Sequence, residues 1–122
     1  MLLAMDPILD VEHRNRYALA RIRGEPSLAQ FLSLIQRIGV ESAAWPSNRL
    51  LVDLRGIRTL TSFTDRYTIG QESARQLGHL HRIASLIDHD LITRAGERTA
   101  RRAGVNLTVF SDAAEATAWL LA

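Results

Sequence analysis

The unbroken apolar run Leu50-Leu51-Val52, held between Arg49 and Asp53, constrains the fold more than any other feature. A strand with one wet face alternates apolar and polar residues. A run with no alternation needs cover on both faces, as a central strand of a parallel sheet has. The strand Arg49–Leu54 therefore predicts helices above and below it, and the flanking sequence supplies them. Leu28, Phe31, Leu32, Ile35 and Ile38 recur at the spacing of one helical face, with Ser27 as the cap and an expected end near Trp45-Pro46. Thr64 or Asp65 is the expected cap of a second helix reaching about Leu80, with Tyr67, Ala74 and Leu77 inward. A strand over Arg82–Ile87, a helix over Thr93–Ala103 closed by Gly104, and a strand over Val105–Phe110 follow. Asp112, with Glu115 three residues on, opens the last helix, which carries Trp119-Leu120.

Ahead of these lie two alternating segments, Ile8–His13 and Tyr17–Arg23, separated by Arg14-Asn15-Arg16. They predict an antiparallel hairpin. Strand–helix alternation implies right-handed crossovers. The expected fold is an α/β domain over residues 1–122, with a mixed, mostly parallel sheet of about five strands, an N-terminal hairpin and about four helices.

Composition removes several function classes. With no cysteine there is no disulfide, thiol nucleophile or cysteine-based metal site. No apolar run approaches the roughly 20 residues of a membrane span. Met1 to Pro7 lacks a basic leader and meets Asp6 at once, so it is not read as a secretory signal, and a cytoplasmic protein is expected. All 15 basic residues are arginine, so no Schiff-base or phosphate-loop lysine exists. The net charge of +2 is too small for the footprint of a nucleic-acid binder. No cofactor motif is present.

Three stretches carry a family resemblance: Leu51-Val52-Asp53-Leu54-Arg55, Ala95 to Gly104, and Val109-Phe110-Ser111-Asp112-Ala113-Ala114-Glu115-Ala116 running on to Trp119-Leu120. In order and spacing they resemble the SpoIIAA-like proteins, a bacterial group with the STAS fold of anti-sigma-factor antagonists, often grouped with CRAL-TRIO lipid carriers. The resemblance implies a STAS-type sheet and a non-enzymatic regulatory module. In such antagonists a serine after the middle strand is phosphorylated by a partner kinase. Here Thr61-Ser62-Phe63 stands at that place; Ser62 keeps the hydroxyl, without the acidic residue before it or the glycine after it.

Ligands of open α/β sheets bind beyond the carboxyl ends of the strands. Asp53, Arg55 and Ser62 follow one such end, and Asp88 and His89 follow the next, so these five form the expected binding site for a protein partner or small ligand. A hydrolase would need Ser62 bonded to His89, and no nucleophile elbow accompanies either. His79 and His81, or Asp88-His89-Asp90, lack helical metal-ligand spacing, so no metal is expected. Arg94, Arg98, Arg101 and Arg102 lie at i, i+4, i+7 and i+8 and form an anion-binding stripe or a solvated face. Phe31, Ile35, Ile38, Trp45, Phe63, Tyr67 and Leu77 form solid core, or else wall a lipid pocket with Arg55 or Arg58 at its mouth. A homodimer through an edge strand or apolar patch fits the same pattern.

Overall fold

A computed structural model describes residues 6–122; Met1–Met5, most of the stretch read above as no secretory signal, lies outside them. The order is β1 (Ile8–His13), β2 (Ala18–Arg23), α1 (Leu28–Ser42), β3 (Arg49–Asp53), α2 (Phe63–Leu77), β4 (Arg82–Leu86), a 3-10 turn (His89–Leu91), α3 (Ala95–Arg102), β5 (Leu107–Phe110) and α4 (Ala113–Leu121). The five strands pair in chain order. β1 and β2 are antiparallel; every later pair is parallel.

Period-two alternation divides the side chains of the sheet between two faces. Ala18, Ala20 and Ile22 of β2, Leu50 and Val52 of β3 and Ile83 of β4 pack with Phe31, Ile35 and Ile38 of α1 and Leu77 of α2. On the opposite face Leu19, Leu51, Ala84 and Leu86 meet Ala116 and Leu120 of α4. The continuous apolar run of β3 is thus covered twice, as the sequence required. Arg16, Arg49 and Arg82 donate to the carbonyls of Leu121, Leu120 and Trp119, so cations meet the negative end of the α4 dipole.

Three boundaries of α1 and α2 depart from expectation. α1 stops at Ser42, earlier than Trp45-Pro46, because Ala44 and Trp45 fold back onto the carbonyls of Glu41 and Ser42 in tight turns. Trp45 then stands edge-on to His13 of β1, with ring centroids 5.3 Å apart. α2 is capped by Ser62 rather than Thr64 or Asp65, since the Ser62 hydroxyl accepts from the Asp65 amide at 3.1 Å. It ends at Leu77, short of Leu80. The Ser27 cap forms a full box with Gln30. Asp112 accepts from the Glu115 amide at 2.9 Å.

The inward face of α2 is also rotated from the expected one. Phe63 is 72% exposed and Tyr67 44%, and their rings stack on each other at 6.4 Å. Leu77 is buried as expected and Ala74 packs partly buried against the core, but Gly70 and Ser73 take the inward place expected of Tyr67. Gly70 is required there: a Cβ would lie 2.7 Å from the Gly96 carbonyl oxygen and 2.8 Å from the Thr99 Cβ, so α2 and α3 meet backbone to backbone.

Candidate functional site

β3 and β4 are neighbours, which brings the loops after them together. Asp53 closes β3, only 6% exposed, and its carboxylate is gripped by Arg55: Oδ1 accepts from Nε at 3.0 Å and from the amide at 3.1 Å, and Oδ2 from Nη2 at 2.9 Å. Arg21 of β2 adds a contact at 3.6 Å. Burial pushes this carboxyl up, but the Arg55 hydrogen bonds and the two guanidinium charges outweigh it, and the net shift is downward. Asp88 Oδ2 accepts from the Gly56 amide at 3.1 Å, and Arg58 forks onto Asp90 at 2.9 and 2.6 Å. The hydrogen bonds of that fork hold Asp90 below the usual carboxylate range. The β3–α2 loop is therefore tied to the segment after β4 by a lattice of charge-assisted bonds.

Of the five expected residues, Asp53 and Arg55 form one pair. Asp88 joins Arg58, a residue expected only at a pocket mouth. His89 faces Ser111, Nδ1 to Oγ at 3.3 Å, while Ser62 is engaged with the α2 amide of Asp65. The Ser62–His89 bond that a hydrolase requires is not formed, because Ser62 starts the helix while His89 turns toward the end of β5. The arginine stripe is likewise divided. Arg94 lies at the cap position of α3 and donates to the Val109 carbonyl at 2.9 Å; Arg101 donates to the Leu107 carbonyl at 2.8 Å and to the Thr108 hydroxyl. These two brace α3 against β5, leaving Arg98 and Arg102 on the solvent side. Among the described residues no group of three or more His, Asp or Glu side chains is placed to hold a metal ion.

Between the sheet and helices α1, α2 and α3 lies a cavity of about 120 Å³. Phe31, Ile35, Ile38 and Leu77 line it as the pocket alternative required; Trp45, Phe63 and Tyr67 do not. Its polar lining includes Ser73 (5% exposed), Ser85 (7% exposed) and Arg66. Neither arginine expected at the mouth reaches it. Arg66 does, bridging the Leu60 carbonyl at 2.8 Å and the Leu91 carbonyl at 3.4 Å, and burial pushes its pKa down. Sequence reasoning passed over Arg66. The signal was the spacing Arg66, Ile69, Gly70, Ser73, Leu77, a helical face whose mixed polarity hid it behind Tyr67 and Ala74.

A five-stranded mixed sheet in chain order, opened by an antiparallel hairpin and flanked by four α-helices, is the architecture of the STAS class. The family model described as SpoIIAA-like matches residues 19–121, and the chain belongs to that family. Among solved structures it is similar to an anti-sigma factor antagonist from Mycobacterium paratuberculosis, with TM-score 0.67 and 16% identity over 98% of this chain and 100% of that one. At that identity the likeness is one of fold. No curated protein matches. Among the described residues no helix is long and apolar enough to cross a membrane.

Proposed function

We propose that the chain is a single-domain, non-enzymatic, cytoplasmic regulatory module that docks a protein partner at the start of α2. The observation that carries this reading is the Phe63–Tyr67 stack in solvent beside the exposed Ser62 cap. Leaving a phenyl ring in water forgoes about 1.5–3 kcal/mol of burial, and aromatic rings are enriched where proteins meet. The bonds of Arg58, Asp88 and Asp90 tie the loop that leads into α2 to the segment after β4. The solved neighbour is named as an antagonist of another protein, which agrees with a protein partner here. Phosphorylation of Ser62 would place a dianion at the helix start, where the dipole favours it, and alter the charge beside the two rings.

Affinity capture from a lysate of the source cell tests this with wild type, F63A/Y67A and S62D. Proteins held by wild type should fall at least tenfold in F63A/Y67A and change in S62D, with far-UV circular dichroism unchanged. Identical capture by all three refutes the reading, and a second copy of the chain in the eluate would identify a homodimer as the partner.

A second reading, a small-molecule or lipid carrier, is favoured by the cavity itself. An engineered cavity of about 150 Å³ takes benzene, so about 120 Å³ suits a small apolar ligand rather than a full acyl chain.

A further inference from the structure

The cavity wall is not uniformly apolar, and its exceptions share a pattern. Ser73 and Ser85 are more than nine-tenths buried and line the space, and neither hydroxyl has a hydrogen-bond partner among the described residues. Both oxygens keep some accessible surface, since Arg82 Nε is the one fully enclosed side-chain N or O among those residues without a partner. A hydroxyl left open to a cavity, with no protein partner, is free to bond a ligand or water that enters it. Arg66 is half-buried on the same wall, and its only partners among the described residues are the Leu60 and Leu91 carbonyls. Neutral carbonyls solvate a guanidinium without neutralising it. The residue that fixes Arg66 is itself strained. Leu60, whose carbonyl accepts from Nε, has φ +62°, a left-handed conformation that costs a bulky residue about 1–3 kcal/mol. Strain of that kind persists where a position must be held.

Resting on the carrier reading, we infer that the cavity takes a small apolar monocarboxylate, its carboxylate on Arg66 and its apolar body between α2 and the sheet. The planar fork of arginine matches a carboxylate. The other ionised group on the wall restricts the charge of the ligand. Glu97 is already held by Arg94 at 3.3 Å and by the Val109 amide at 2.9 Å, so it leaves Arg66 free while repelling a second negative charge. A phosphate dianion, with one cation to receive it and a carboxylate on the same wall, fits less well than a monoanion. Ser73 lies two turns along α2 from Arg66, about 10 Å of helix rise, so the hydroxyls reward a polar substituent at the far end of the ligand.

Benzoate and hexanoate, with benzyl alcohol and hexanol as neutral counterparts, are the probes, titrated into full-length wild type and R66M and followed by amide chemical-shift changes. The acids should bind wild type at least tenfold more tightly than the alcohols, and R66M should remove that preference while leaving alcohol binding within about twofold. Equal binding of acids and alcohols to wild type, unaltered in R66M, would overturn the role of Arg66 while the carrier reading stands. No shift of cavity residues with any of the four probes would overturn both. If R66M does not fold, R66Q, which keeps donors but loses the charge, carries the same comparison.

Discussion

Ser85→Val should stabilise this protein, although most core substitutions do the opposite. Ser85 sits in mid β4, in register with Val52 of β3 and Val109 of β5, with its hydroxyl on the cavity wall. Valine is about 50 Å³ larger than serine, and unfilled core volume costs about 24 cal/mol per Å³, so filling that part of the 120 Å³ contributes about 1.2 kcal/mol. Removing a hydroxyl that has no protein partner adds up to about 1 kcal/mol, partly offset by about 0.5 kcal/mol of lost rotamer freedom. The net of about 1–2 kcal/mol corresponds to a Tm rise of about 4–8 °C for a chain of this length. Thermal unfolding by calorimetry reads it, with Ser85→Ala as the control that removes the hydroxyl without filling the space. A fall in Tm for Ser85→Val would mean overpacking, which costs about 1–3 kcal/mol, and the space would then be absent in solution. An unchanged Tm would mean that water satisfies the hydroxyl and is lost with it.

Two further perturbations test the parts that frame the site. Gly70→Ala should lower the stability read from urea unfolding by up to about 2 kcal/mol, a cost of about 1–3 kcal/mol as the new methyl meets the backbone of α3 offsetting a helix-propensity gain of about 1 kcal/mol; a rise would deny the close approach. Asp53→Asn should destabilise at neutral pH by about 1–2 kcal/mol through the lost Arg55 fork. Since the folded-state pKa of Asp53 is depressed, its contribution is present above the unfolded value of about 3.9 and is lost as pH falls through the folded value. The gap between wild type and Asp53→Asn in urea titrations should therefore be widest well above the unfolded value and narrow as the pH falls below it; a gap independent of pH refutes the ion pair.

The sheet was legible because its physics is local. Leu50-Leu51-Val52 has no polar residue to turn outward, and the two caps Ser27 and Asp112 each find the amide three residues on. The phase of α2 was not legible, because polarity alone assigns Phe63 and Tyr67 inward and Arg66 outward. What reverses the assignment is α3, whose backbone at Gly96 must approach Gly70; once that contact sets the rotation of the helix, Arg66 and Ser73 follow it onto the inner face. The Arg58 fork onto Asp90 was equally hidden. It joins residues 32 apart, and the loop conformation that brings them together is decided by the β3–β4 pairing rather than by either segment.

An all-arginine composition reads as an accident of coding until its guanidinium groups are followed through the fold. A lysine ammonium is a point charge, whereas the guanidinium fork donates in fixed directions and binds two oxygens at once. Arg55 and Arg58 use that fork on carboxylates, and Arg16, Arg49 and Arg82 reach the last carbonyls of α4, where the helix dipole supplies the balancing charge. Arg66 also bridges two carbonyls, but those of Leu60 and Leu91 belong to no α-helix end and supply no such charge. Its positive charge is therefore balanced neither by a side chain nor by an α-helix end among the described residues; only one of the two carbonyls closes a single 3-10 turn. Arg66 stands beside the space that Ser73 and Ser85 line. A neutral glutamine or methionine would cost less to bury there. The arginine is intelligible if an anion completes it.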